Sequence, residues 1–208
     1  MAGETKERIL ETSLALFAQR GYSGVSMRDI AEQLGVTKGA LYKHYDSKQA
    51  ILDGITRRMA ELDDARAHAY RMPENQADGF AEVYQRTPAA QIRAYSKAQF
   101  RHWTEEPFPC AFRRMLTLEQ FRDPALGRLY QQQLVSGPLA YMAEIFRRMT
   151  GSGEGAMPLA LEFYGPIFLL YSVYDGAADK ASVLPLLCAH IDRFIARMET
   201  GRKAGGAL

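Results

Sequence analysis

Residues 26–45 read SMRDIAEQLGVTKGALYKHY, and this stretch decides the fold of the N-terminal part of the chain. Ser26 followed by Asp29 has the spacing of a capping box, which predicts that a helix starts after Ser26. Gly35 is expected to end that helix, and Thr37 is a suitable N-cap for a second, short helix. Two helices joined by a turn of about four residues have the spacing of a helix-turn-helix.

The second of these helices carries side chains suited to a nucleic-acid backbone. Ala40 and Leu41 are expected to face inward, which leaves the rest of the helix surface in solvent. The free amides after Thr37 attract a phosphate, and nearby lysines add affinity that does not depend on base sequence. Tyrosine and histidine side chains hydrogen-bond phosphates or reach base edges. A solvated basic surface is the alternative interpretation, and it applies to Arg28 as well.

Helical periodicity extends over almost the whole chain, and the sequence contains no sustained alternation typical of strands. An amphipathic helix is predicted before residues 26–45, and Gly21 is expected to end it. A further helix is predicted over residues 48–71. A long helix that begins at Pro124 is predicted to be kinked by Pro138. The pattern therefore predicts an all-α protein.

Composition excludes several classes of protein. Of 208 residues, 47% are hydrophobic and 24% charged, and 26 Lys and Arg stand against 24 Asp and Glu, so net charge indicates no partner. Cys110 and Cys188 are too few for a disulfide framework and lack zinc-ligand spacing. The charged start is unlike a signal peptide, and the apolar stretch 166–173 is shorter than the ~20 residues of a membrane span. We predict a cytoplasmic protein with no metal, cofactor or membrane partner.

Residues 6–55 resemble the N-terminal domain of the TetR family of transcriptional regulators. ILETSLALFAQRGY (9–22) is similar to the first helix of the family, and SMRDIAEQLGV (26–36) to its second helix and turn. TKGALYKHYDSKQAIL (37–52) is similar to the recognition helix and the start of the fourth helix. The chain departs from the family at Tyr45, where Phe is common.

The resemblance implies an all-α homodimer that binds a palindromic double-stranded DNA operator through two recognition helices. It implies a three-helix helix-turn-helix DNA-binding domain at residues 1–47, a connecting helix at 48–71, and a larger helical ligand-binding and dimerisation domain at 72–208. The DNA contacts of the family carry over to Arg28, Thr37, Lys38, Gly39, Tyr42, Lys43, His44 and Lys48. We therefore predict a ligand-responsive repressor that a small-molecule effector releases from DNA.

The C-terminal part is predicted to hold a pocket and a dimer interface. Middle-helix side chains are candidates to line an apolar pocket with a few polar groups, namely Phe100, Arg101, His102, Trp103, Met115, Leu118, Phe121, Tyr141, Met142 and Phe146. Apolar faces of the last two helices are candidates for the dimer interface, namely Phe163, Ile167, Leu170, Tyr174, Leu184, Leu187, Ile191, Phe194 and Ile195. Ordinary core packing is the alternative interpretation of the apolar residues in both sets, and solvent exposure that of Arg101.

Two other functions stay open at this point. One is a DNA-binding regulator without a small-molecule ligand, controlled by a protein partner or by its abundance, which a filled C-terminal core would favour. The other is a small-molecule carrier or an enzyme with a purely structural helix-turn-helix. The sequence has no G-x-S-x-G, glycine-rich phosphate loop or H-E-x-x-H motif, so we predict no catalytic residues and no enzyme activity.

Overall fold

The computed structural model describes residues 2–70, 88–151 and 153–205, and this part of the chain contains helices and no strand. In chain order the helices are α1 (Ala2–Arg20), α2 (Met27–Leu34), α3 (Lys38–Tyr42), α4 (Lys48–Ala69), α5 (Ala89–Thr104), α6 (Pro107–Glu119), α7 (Pro124–Leu134), α8 (Ser136–Thr150), α9 (Ala156–Gly176) and α10 (Val183–Gly205). A single 3-10 turn, Lys180–Ser182, precedes α10. The predicted all-α fold is confirmed.

The ends of the first three helices follow the local signals in the sequence. Gly21 ends α1 at a φ of 77°, and its amide donates to the Phe17 carbonyl. The Ser26 hydroxyl accepts from the Asp29 amide while the Asp29 carboxylate accepts from the Ser26 amide, which completes the predicted capping box. Gly35 ends α2 at a φ of 68°, a left-handed conformation that glycine adopts without steric cost.

Ser26→Ala is expected to lower the free energy of unfolding by about 1 kcal/mol, because the Asp29 amide loses its acceptor. Hydrogen bonds from the Ser26 hydroxyl and amide lower the pKa of Asp29. The capping box is therefore complete above the ordinary carboxyl pKa and weakens as pH falls through the lowered value. Urea denaturation followed by circular dichroism at neutral and at acid pH checks this. An equal difference between the two proteins at both pH values would contradict the role of the carboxylate.

The chain divides into two compact units that the predicted domain boundaries do not follow. The first unit comprises Met1–Ala65 and Glu105–Gln131, and the second Arg66–Thr104 and Gln132–Leu208. Helix α6 and the larger part of α7 thus group with the N-terminal helices. The boundaries of the functional domains stay a prediction, and residue 71 of the predicted connecting helix lies outside the described residues.

In the first unit, α1 packs against α2 and α6 around a fully buried aromatic and aliphatic core. Phe17 of α1, Ile55 of α4 and Phe112 of α6 have no exposed surface. Burying a side chain of this size contributes about 1.5–3 kcal/mol. Leu41, also fully buried, is the residue through which α3 is anchored to this core. Helix α3 therefore packs against the core on the side of Leu41, and its other sides face away from the core.

The second unit is built on α9, which packs against α5, α8 and α10. Helix α9 is the one helix within residues 2–70, 88–151 and 153–205 that is long and apolar enough to cross a membrane by length and composition. Its packing within the unit buries one side, including Phe163, Ile167 and Tyr171. This arrangement is that of a core helix.

The predicted kink at Pro138 is wrong, because two separate helices replace the long one. Val135, with φ −128° and ψ −86°, separates α7 from α8. Pro138 lies in the first turn of α8. Backbone amides of the first turn have no acceptor within the helix, so proline, which has no amide hydrogen, is tolerated there. A side chain at Gly137 would overlap the Gln132 carbonyl, so glycine permits this close connection.

Candidate DNA interface and ligand cavity

Helix α3 presents its polar side chains on the surface of the first unit. It buries Leu41 and exposes Lys38 and Lys43, and Tyr42 is 39% exposed. The Lys38 ammonium lies 5.6 Å from the centre of the Tyr42 ring, within range of a cation–π interaction. Five predicted residues, Lys38, Gly39, Tyr42, Lys43 and the N-cap Thr37, are thus brought together on one exposed element.

The N-terminus of α3, residues 37–39, is capped by a side chain and exposed to solvent. The Thr37 hydroxyl accepts from the Ala40 amide at 3.2 Å. A β-carbon added at Gly39 would meet no atom within 4 Å, so no contact inside the protein requires glycine at this helical position. The absence of a side chain there lets another backbone approach α3 closely. Of the two remaining neighbours, Arg28 is exposed on α2 and His44 is half-buried just after α3.

Lys48, predicted as a DNA contact, has an intramolecular role. Its ammonium donates to the carbonyls of Tyr22 and Val25 at 2.7 and 2.8 Å, and it lies 4.3 Å from the centre of the Tyr22 ring. Burial lowers the pKa of Lys48, and the Glu119 carboxylate opposes that shift. Lys48 therefore fixes the loop between α1 and α2, and contact with DNA stays a prediction for this residue.

Glu119 is a buried carboxylate that the sequence did not single out. It is 1% exposed at the end of α6, and its Oε1 accepts from the Tyr22 amide at 3.1 Å. Its Oε2 makes no hydrogen bond with any described residue. A carboxylate is costly to bury unless it is paired, so this contact specifically holds α6 against the loop that precedes α2. An isolated Glu at the end of an apolar helix pattern gives no sequence signal for such a role.

The second unit contains a partly open cavity of about 200 Å³. Its wall combines seven aromatic residues, three methionines and four isoleucines with four smaller or polar residues. The described residues of the wall are Ala89, Ile92, Tyr95, Ser96, Gln99, Phe100, Met142, Ile145, Phe146, Met149, Phe163, Tyr164, Ile167, Tyr171, Phe194, Ile195, Met198 and Glu199. A concave apolar site with a few polar groups is the usual form of a small-molecule site.

The cavity differs from the predicted pocket. Of the ten predicted residues, the structure places Phe100, Met142 and Phe146 on its wall. Met115, Leu118 and Phe121 lie in the first unit, where Met115 is fully buried and Phe121 is 92% exposed. The remaining four are not among the described wall residues, namely Arg101, which is exposed, His102 and Trp103, which are buried, and Tyr141, which is half-buried. The prediction thus names wall residues on α5 and α8 but includes residues of the first unit, and it does not include the wall residues of α9 and α10.

Three contacts join the last turn of α4 to α5 within the second unit. Arg66 Nε donates to Gln99 Oε1 at 2.7 Å. The Tyr70 carbonyl accepts from the Gln91 side-chain amide at 2.7 Å, and the Tyr70 and Tyr95 rings meet edge to face with centres 6.0 Å apart. Gln99 and Tyr95 both line the cavity. A molecule that touches Gln99 or Tyr95 in the cavity would therefore touch a residue that contacts Arg66 or Tyr70 at the end of α4.

Six of the nine residues predicted for the dimer interface have little exposed surface in the protomer, and the interface itself stays a prediction. Those six are buried within the protomer, namely Phe163, Ile167, Leu170, Leu187, Ile191 and Phe194. Tyr174, Leu184 and Ile195 are half-buried. The apolar pattern covers more than one face of each helix, and the face chosen in the prediction is the one that packs inside the protomer.

A different apolar surface of the last two helices is exposed. On α9, Met157, Leu161, Leu169 and Val173 are between 41% and 63% exposed, and on α10 Leu186 is 54% exposed. With Gly165, the α9 residues follow one another at intervals of four, which forms the i±4 ridge of a helix. A β-carbon added at Gly165 would meet no atom within 4 Å, so the ridge has a notch at its centre. We call these six residues the exposed ridge.

The N-terminal helices of this chain are similar to those of known bacterial regulatory proteins. Residues 9–55 match the family model described as bacterial regulatory proteins, tetR family. The HTH-type transcriptional repressor KstR2 of Rhodococcus jostii (strain RHA1) is 41% identical over 52 residues, which are 25% of this chain and 26% of that protein. The chain thus spans about a quarter or less of the length of the curated relatives it matches. No group of three His, Cys, Asp or Glu in the described ranges is placed to hold a metal ion.

Two solved structures share the fold over nearly the whole chain. A chain described as a TetR-family regulator from Mesorhizobium loti MAFF303099 is 19% identical, with a TM-score of 0.62, and the match covers 94% of this chain and 97% of that one. AibR, solved with isovaleryl coenzyme A and operator DNA, is 19% identical, with a TM-score of 0.60 and coverage of 88% and 95%. The fold is therefore an N-terminal helix-turn-helix followed by a helical C-terminal part.

Proposed function

We propose that this chain, whose residues 9–55 match the tetR family of bacterial regulatory proteins, is a cytoplasmic, ligand-responsive repressor that binds a palindromic operator as a homodimer. The observation that carries the proposal is the exposed face of α3 within a fully capped helix-turn-helix. The N-terminus of α3 with its exposed Lys38 is suited to bind phosphate, the exposed C-cap Lys43 adds a second cation, and the exposed Tyr42 reaches base edges. We propose no catalytic role and no cofactor.

The cavity supports regulation by a small molecule rather than by a partner or by abundance alone. A filled C-terminal core would have favoured a regulator without a ligand, whereas the second unit contains a partly open cavity of about 200 Å³. An apolar cavity of about 150 Å³ is large enough to hold benzene, so this cavity suits a ligand of one or two rings. KstR2 is a repressor and AibR was solved with both a ligand and operator DNA, which agrees with this function.

We place the switch in α4. This helix contributes Lys48–Ala65 to the first unit and its last turn to the second. A ligand that displaces Gln99 or Tyr95 acts on α4 through Arg66 and Tyr70. A shift of α4 changes the separation of the two recognition helices, which must match half-sites about 34–36 Å apart. Ligand binding thereby disfavours the operator-bound state.

The homodimer is proposed to form through the exposed ridge. Ridges of i±4 spacing pack into one another with helix axes crossing at about −50°, the commonest class of helix packing. A second copy presents the same ridge, so a two-fold interface is self-complementary. The notch at Gly165 lets the two α9 backbones approach each other closely. Without a partner, this apolar surface would be exposed to water, and exposed apolar patches are typical of interaction sites.

Selection of bound sequences from a random duplex library tests the DNA-binding proposal. The wild-type protein is expected to enrich a palindrome. Tyr42→Ala is expected to relax specificity at the bases it contacts, at a cost of about 1–3 kcal/mol. Lys43→Ala is expected to weaken binding to all sequences and to reduce the slope of log affinity against log salt by about 1.

Lys97→Ala supplies the matched control for these two variants. Lys97 is half-buried on α5 in the second unit, far along the chain from the helix-turn-helix. Its replacement is expected to leave both the selected sequence and the salt slope unchanged. Salt-sensitive binding without any enriched sequence would contradict an operator-specific repressor and would reduce the surface of α3 to a non-specific basic patch.

A further inference from the structure

Among its described residues, the wall of the cavity in the second unit combines many aromatic rings with a single charged side chain. Seven of the described wall residues are aromatic, and several stack against one another, such as Phe100 and Tyr171 with ring centres 5.4 Å apart. Phe163 and Phe194 meet with centres 5.0 Å apart. Aromatic faces carry partial negative charge, so a ring-lined cavity attracts a cation more strongly than it attracts an anion.

The charged residue of the wall is Glu199, and its sign reinforces that of the rings. It is exposed, so it stands where the cavity opens to solvent. No Lys, Arg or His occurs among the described residues of the wall. A bound carboxylate or phosphate would therefore meet a like charge and no compensating cation on this wall.

Three basic side chains that contact wall residues have partners within the protein. Arg66 donates to Gln99 Oε1 from α4, so its guanidinium approaches the wall through another side chain. Arg197 lies 5.5 Å from the centre of the Phe194 ring and forms an ion pair with Glu162. His190 contacts the Phe163 carbonyl at 2.8 Å. The described wall is thus formed by rings, aliphatic and methionine side chains, the uncharged polar Ser96 and Gln99, and one carboxylate.

We propose that the effector is a hydrophobic organic cation, with one or two rings inside the cavity and its ammonium group at Glu199. This inference rests on the proposed function, because it names the chemistry of the molecule that the same cavity binds. Ring stacking on the aromatic wall holds the apolar part. The cationic group gains from the ring faces and from the carboxylate without leaving water completely.

Two matched series of probes test the sign of the ligand charge. Each keeps its ring system and changes only one group, with 1-naphthylmethylamine, 1-naphthylmethanol and 1-naphthoate as the larger series. Benzylamine, benzyl alcohol and benzoate form the smaller series, so that size alone does not decide the result. Binding to the full-length protein is measured by isothermal titration calorimetry. In at least one series the amine is expected to bind most tightly and the carboxylate most weakly.

Glu199→Gln separates the carboxylate from the rings. It is expected to weaken binding of the amine by about three- to tenfold and to leave binding of the alcohol unchanged. Glu11→Gln is the control, because this exposed carboxylate lies on α1 in the first unit and is not among the described wall residues. It is expected to change neither affinity.

Three results overturn the proposal. They are a carboxylate that binds as tightly as its amine, an equal effect of Glu199→Gln on amine and alcohol, and no binding of any of the six probes. The first two leave the proposed ligand-responsive repressor standing and reject only the cationic class. Absence of all binding also removes the support that the cavity gives to ligand response, whereas selection of an operator sequence is independent of every probe.

Discussion

Gly21→Ala is expected to lower the free energy of unfolding of the first unit by about 2–4 kcal/mol. Gly21 has a φ of 77°, where a β-carbon meets its own backbone at a cost of about 1–2 kcal/mol. The added methyl group would also overlap Glu119 Oε1. That oxygen cannot move freely, because the carboxylate is buried and accepts from the Tyr22 amide.

Hydrogen exchange followed by mass spectrometry measures this effect in the first unit, where peptides from α1 and α6 should exchange faster. The fluorescence of Trp103 reports on the second unit. The unfolding transition seen by this fluorescence is expected to be the same as in the wild type. Gly151→Ala is the matched control, since Gly151 has a φ of 69° but no atom within 4 Å of an added β-carbon. Equal destabilisation by the two variants would show that contact with Glu119 contributes nothing.

The sequence predicted the parts of the fold that depend on neighbours in the chain. Gly21 and Gly35 end helices because only glycine adopts their positive φ without strain, and Ser26 and Thr37 cap helices with their own hydroxyl groups. These signals lie within three or four residues of the atoms they act on. The exposed face of α3 follows from the same local pattern once Leu41 is buried.

The sequence could not predict features that depend on contacts between distant segments. The role of Glu119 requires α6 to pack beside Tyr22, 97 positions away along the chain. The dimer face of α9 could not be chosen because this helix is apolar on more than one side, and only the packing against α5, α8 and α10 shows which side remains exposed. Three predicted pocket residues on α5 and α8 lie on the cavity wall and three others lie in the first unit, because helical period alone does not distinguish wall from core.

The same ambiguity explains the fate of the predicted DNA contacts. Lysine is typical of a surface that binds phosphate, and Lys38 and Lys43 are exposed as that interpretation requires. Lys48 has the same side chain, but a ring and two carbonyls of the α1–α2 loop surround its ammonium. Side-chain type indicates what a residue is able to bind, whereas the packing of the surrounding backbone determines what it does bind.

Replacing both Leu161 and Leu169 with Glu is expected to convert the dimer to a monomer. The two leucines are 51% and 63% exposed on the ridge of α9, so the change costs the isolated protomer little. In a two-fold interface each substitution is present twice and places like charges opposite one another in an apolar contact. The dimer dissociation constant is expected to rise at least about 100-fold, since burying unpaired carboxylates costs several kcal/mol. Analytical ultracentrifugation measures this constant directly.

Loss of the dimer is expected to reduce operator affinity by a factor of about 10²–10⁴, because the second recognition helix no longer binds at high effective concentration. Phe121→Ser is the control. Phe121 is 92% exposed and apolar but belongs to the first unit, whereas the ridge belongs to the second, so its replacement should leave the dimer intact. A double variant that remains dimeric with unchanged operator affinity would assign the interface to another surface. A dimeric repressor recognises two half-sites because its interface holds the two recognition helices a fixed distance apart. A double variant that is monomeric yet binds the palindrome as tightly as the wild type would therefore show that DNA recognition does not depend on dimerisation.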